Sequence, residues 1–123
     1  MRSRTWLLAC AVALTLSCGK EDGGPAQPLS ECSSNVSVFT AGGTLPSFDW
    51  TPSCLAGALL VEEFGQERWA IDNGRRNALA PPVQYGLGGG FAVPLRTGHT
   101  YDVSVFRWNG TDFVLIGTTW FTP

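Results

Sequence analysis

YDVSVFRWNGTDFVLIGTTW, residues 101–120, decides the fold. Tyr101, Val103 and Val105 alternate with Asp102, Ser104 and Phe106, which is the period-two pattern of a strand with one buried face. Asn109-Gly110 is a strong reversal signal, because both residues tolerate the backbone of a tight hairpin. Residues 112–122 return with Val, Ile, Thr, Trp and Phe, the residue types that fit a pleated, half-buried surface. The stretch predicts a β-hairpin with Tyr101, Val103 and Val105 facing a core.

Working outward, the same signals recur at short intervals. Residues 35–40 (NVSVFT) alternate, and Ala41-Gly42-Gly43 turns the chain. Residues 47–51 (SFDWT) place Phe48 and Trp50 on one face and Asp49 on the other, and Pro52 stops them. Residues 55–64 form a longer apolar run that reads as a strand, and residues 68–72 (RWAID) alternate after the Gly65-Gln66 turn. Asp72-Asn73-Gly74 turns again. Residues 78–85 carry Pro81-Pro82, so they read as an edge strand or an extended loop. Residues 86–90 are glycine-rich, and residues 91–95 could add a short strand. About seven short strands with regular turns imply a single antiparallel β-sandwich over residues 32–123.

Two motifs resemble fibronectin type III domains. Phe48-Asp49-Trp50-Thr51-Pro52 is similar to the Trp motif of that family's second strand. Leu95, Gly98, Tyr101, Val103 and Val105 follow the spacing of its sixth strand. The resemblance implies a tyrosine corner at Tyr101, a core position for Trp50 and inward-facing valines. It says nothing of function. The family lacks a bridge between cysteines, and residues 73–90 are long and rich in Pro and Gly, so the related immunoglobulin-like sandwich stays open.

The N-terminus reads as an address. Arg2 and Arg4 precede an uncharged apolar run at residues 6–16, followed by Ser17 and Cys18, the three-part pattern of a secretory signal. The run is shorter than the roughly twenty residues of a membrane span. Residues 7–16 are expected to form the signal helix. Leu14-Thr15-Leu16-Ser17-Cys18 resembles the bacterial lipobox. That resemblance implies a diacylglyceryl group on Cys18, cleavage after residue 17 and, with Gly19 next, delivery to the outer membrane. An ordinary cleaved signal with an incidental Cys18 is the alternative. Residues 18–31, rich in Gly, Pro and charge after the cysteine, read as a flexible tether. The expected organisation is a signal peptide at 1–17, lipidated cysteine and tether at 18–31, and the sandwich at 32–123.

Cys10 falls in the apolar run, so Cys32 and Cys54 are the thiols of the exported domain. In an oxidising compartment they are expected to form a disulfide. A metal site lacks ligands, with His99 the only histidine and no CxxC spacing. In a meander of antiparallel strands, Cys32 before the first and Cys54 after the second fall at one end of the sandwich.

Other chemistry is sparse. The chain carries a net −2, and loss of Arg2 and Arg4 leaves six basic against ten acidic side chains, a net −4. Without a basic stripe the sequence gives no reason to expect a nucleic-acid partner. His99 sits between Gly98 and Thr100 and reads as a solvated loop residue. Glu62 and Glu63 are adjacent, so on a strand they face opposite ways and do not form an acid/base pair. No GxSxG elbow is present, and Gly88-Gly89-Gly90 lacks the lysine of a phosphate loop. These readings predict no catalytic residue, no metal and no small-molecule cofactor.

Aromatic residues remain. With Val103 and Val105 inward, Phe106 and Trp108 point outward, either packing across the hairpin on Phe113, Leu115 or Trp120, or marking a binding face. The expected function is an envelope lipoprotein, held to the membrane by its N-terminal lipid, whose sandwich is a non-enzymatic module for a protein or polysaccharide partner. A structural or accessory subunit of an envelope assembly is the alternative. A small hydrolase would need a polar constellation absent from the sequence.

Overall fold

The computed structural model describes residues 28–123. The expected signal helix, the cleavage site, Cys18 and most of the tether lie outside the described residues. Seven strands follow in order: β1 Ser37–Ala41, β2 Ser47–Thr51, β3 Ala58–Glu63, β4 Gln66–Asp72, β5 Val83–Gln84, β6 Tyr101–Trp108 and β7 Phe113–Phe121. They form two antiparallel sheets, one of order β1-β2-β5 and one of order β4-β3-β6-β7. The architecture is an all-β sandwich.

The core follows the alternation. Phe48 and Trp50 from β2 meet Leu59 and Val61 from β3, Trp69 from β4, and Tyr101, Val103 and Val105 from β6, all essentially without solvent contact. Burying each such side chain stabilises the fold by roughly 1.5–3 kcal/mol. The Trp50 indole N–H donates to the Cys54 carbonyl at 2.9 Å, which satisfies the one polar atom of a buried ring.

Residues 78–85 supply the expected edge strand, shorter than the run, and other segments differ from the sequence reading. The run 55–64 yields a strand only from Ala58, because Leu55 and Ala56 bridge instead to Glu31 and Leu79. Residues 78–85 shrink to the two-residue β5, following Pro81-Pro82, which cannot donate to a ladder. Residues 91–95 are not a strand. They run beside β4, where the Gly90 and Val93 N–H groups donate to the Ala70 and Arg68 carbonyls. The β6–β7 loop is also longer than a two-residue turn, since Trp108 pairs with Phe113. Asn109 closes it, its Oδ1 accepting the N–H groups of Thr111 and Asp112 at 2.8 Å each.

The two sheets nearly join along one side. The Val36 N–H donates to the Ile116 carbonyl at 2.9 Å. A Cβ at Gly117 would lie 2.7 Å from the Val36 carbonyl oxygen, so glycine is required for that approach. Here a bulge in β7 shifts its register between Val105 and Phe106 of β6.

Candidate functional site

Cys32 and Cys54 are bridged, with Cα atoms 4.9 Å apart. β1 and β2 pair antiparallel, which returns the chain to the end where it began. The bridge therefore lies at one end of the sandwich, beside Asn109 and Gly110 of the β6–β7 loop. The chain preceding Cys32 enters the fold at this end.

Phe106 and Trp108 are both half-buried. Register places Phe106 opposite Leu115, Trp108 opposite Phe113 and Asp102 opposite Trp120. These pairs share the outer face of the four-stranded sheet, because the alternate residues Tyr101, Val103 and Val105 are buried. Trp108 meets Phe113 edge-on at 5.1 Å, so cross-strand packing takes part of its surface. Leu115 and Trp120 are the open members, 52% and 68% exposed. The bulge explains Leu115: it turns both Ile116 and Gly117 toward the core side and Leu115 outward. Sequence alternation identified Phe106 and Trp108 and named Leu115 and Trp120 only as packing partners.

At the bridged end, Asn77 is held against the backbone of Trp108. Its Oδ1 accepts the Trp108 N–H at 2.7 Å and its amide donates to the Trp108 carbonyl at 2.8 Å. The same amide donates to Glu31 at 3.0 Å. One side chain thus plays the part of a neighbouring strand at the end of β6. Arg75 lies over the Trp108 ring, its guanidinium carbon 5.8 Å from the centroid.

The opposite end holds the constellation that the sequence concealed. Glu63, at the end of β3, is buried. The His99 Nδ1–H donates to one of its carboxylate oxygens at 2.6 Å, and the Arg68 guanidinium reaches the other at 3.2 Å. The His99 hydrogen bond is the first cause holding the Glu63 carboxyl below its ordinary range, with Arg68 adding to it against the opposing effect of burial. The trio joins a loop to a hairpin 36 positions away. Tyr101 lies alongside, its ring stacked near His99, and its hydroxyl accepts the Arg96 N–H at 2.8 Å. Phe64 stands at the rim of this cleft, 91% exposed. Its φ of 51° is one that bulky residues rarely adopt. Phe64-Gly65 make the two-residue turn between β3 and β4, in which both central residues take positive φ.

Chemically, the trio is a carboxylate fully engaged by two cations or donors. Among the described residues no group of three or more His, Cys, Asp or Glu is placed to hold a metal ion. No protein-family model, curated protein or solved structure matches this chain.

Proposed function

We propose that the protein is an envelope lipoprotein, anchored through a lipid on Cys18 and delivered to the outer membrane. Its sandwich is a non-catalytic interaction module for a protein or polysaccharide partner. The observation that carries the module reading is the outer face of β6 and β7, where Leu115 stands open opposite half-buried Phe106, next to the Trp108–Phe113 pair, and Trp120 stands open further along the same face, opposite Asp102. Large aromatic surface on a rigid sheet suits contact with a partner, since it gives area at low entropic cost.

The sandwich is of the fibronectin type III kind. Support comes from the sheet order β1-β2-β5 and β4-β3-β6-β7 and from the Tyr101 hydroxyl bonded to the backbone five positions upstream. The bridge argues against an antibody-type domain, whose disulfide spans the two sheets. Cys32–Cys54 instead ties the segments that flank the first hairpin.

The test has two parts. Mass spectrometry of the mature protein should find an acylated N-terminal cysteine at position 18, and an unmodified or different terminus would remove the anchor. Cross-linking in the native envelope, with parallel binding to its polysaccharide fraction, should identify a partner whose affinity for Trp120→Ala falls more than about fivefold at unchanged thermal stability. Equal affinity for wild type and variant would remove the β6–β7 face from the proposal.

A further inference from the structure

The fold gathers basic side chains that are scattered in sequence. Arg75 and Arg76 leave β4, and Arg107 lies near the end of β6. All three line one hollow of about 530 Å³ at the bridged end, with Asn77, Trp108 and Asn109. They are three of the five arginines among the described residues, where no lysine occurs. Arg75 and Arg76 are exposed and Arg107 is half-buried. The guanidinium of Arg75 is set by the Trp108 ring and that of Arg76 by the Asn73 carbonyl at 3.1 Å. Glu31, the acidic group of the hollow, is engaged by the Asn77 amide.

We propose that this end of the sandwich docks on the bilayer, its arginines binding the phosphates of anionic lipid headgroups. Two observations select that partner. Guanidinium groups match phosphate oxygens in charge and geometry. Cys32 itself lines the hollow, so the chain running back toward Cys18 leaves from this end. A chain of n residues spans at most about 3.3–3.6 Å × n, so the 14 steps from Cys18 to Cys32 cannot reach beyond about 50 Å. The bridged end is the one nearest the surface to which that cysteine would be joined. The choice of lipid as the occupant rests on anchoring at Cys18. Docked in this way, the strands stand along the membrane normal. The Phe106–Trp120 face then looks sideways along the surface, and the Glu63–His99 end points away from it.

The experiment uses the mature chain, residues 18–123, carrying Cys18→Ser, so that neither a lipid nor the apolar run at residues 6–16 contributes. Its partition is measured onto vesicles of phosphatidylcholine, with and without phosphatidylglycerol, at low and high salt. Three variants in the same background are compared: Arg75→Gln/Arg76→Gln, the same pair with Arg107→Gln, and Arg96→Gln at the far end. A basic residue near an anionic surface contributes about fivefold in partition. The double variant should therefore lose at least tenfold on anionic vesicles and nothing on neutral ones. The triple variant should lose more, and Arg96→Gln should behave as its parent. The loss should shrink at high salt. The double variant changes only exposed side chains, which keeps the test sound if the triple variant melts early. Equal partition of parent and double variant would overturn the proposal. So would an equal loss in Arg96→Gln, which would make the effect one of net charge. Arginine-dependent binding to an anionic polysaccharide with none to vesicles would overturn the assignment to lipid. Failure of the anchor shows separately, as a wild-type chain whose membrane association in cells is unchanged by Cys18→Ser.

Discussion

The two ends of the sandwich are closed by different chemistry. At one end a covalent bridge and an amide hold the chain: Cys32–Cys54 joins the first hairpin to the segment before it, and Asn77 pairs with the backbone of Trp108. At the other end the closure is ionic and phenolic: Glu63 gathers His99 and Arg68, and Tyr101 takes the Arg96 N–H. The first kind of closure does not titrate in the ordinary range, whereas the second depends on a carboxylate staying charged.

Three variants separate the contributions of the two ends. The largest effect is expected from Cys32→Ala/Cys54→Ala. Opening a loop of 22 positions should cost about 3 kcal/mol by the chain-entropy relation. Denaturant titration measures it, and a loss below about 1 kcal/mol would mean that the bridged end is closed chiefly by Asn77. Asn77→Ala comes next. It leaves the Trp108 N–H and carbonyl without their partner, each part-buried, and should cost about 1–3 kcal/mol. Amide exchange at Trp108 should quicken well before global unfolding. The smallest effect is at the far end and depends on pH. Because the Glu63 carboxyl is held below its ordinary value of 4.5, its contribution is present in full above that value and is lost as pH falls through the lower, folded one. Melting temperature measured against pH should show an acid limb below about 4.5 that Glu63→Gln flattens. An unchanged limb in the variant would assign the acid sensitivity to other carboxylates.

The two ends were also unequally legible in the sequence. Alternation in residues 47–51 and 101–108 identifies Phe48, Trp50, Val103 and Val105 as core, because a strand with one buried face repeats every two residues. Cysteine spacing and antiparallel return place the bridge. The bulge in β7 was invisible, since one extra residue leaves each half of the strand correctly alternating; only the pairing register reveals that Leu115 faces out. The Glu63–His99 contact was hidden for another reason. His99 stands in a turn between Gly98 and Thr100, where local composition says solvent, and its partner comes from a strand end fixed only by the whole topology. Asn77 was similarly unmarked, a polar residue in a long loop whose meaning lies in what β6 lacks at its end. The gathering of Arg75, Arg76 and Arg107 belongs to this class, being a product of chain return and not of spacing.

The contact between Val36 and Ile116, with Gly117 beneath it, bears on self-association, most of all under the anchoring proposed above. Proteins confined to a surface meet copies of themselves at high effective concentration, and an open strand rim is a template for adding a neighbour's backbone. Here the rim of β7 is occupied at Ile116 by the chain's own Val36 N–H, and the rim of β4 at Arg68 and Ala70 by the N–H groups of Val93 and Gly90. At those points the molecule's own backbone takes the place a neighbour's would fill. Addition of an identical neighbour's strand is thereby hindered at those points on both flanks of the larger sheet, while the side chains of Leu115 and Trp120 remain free to meet something else.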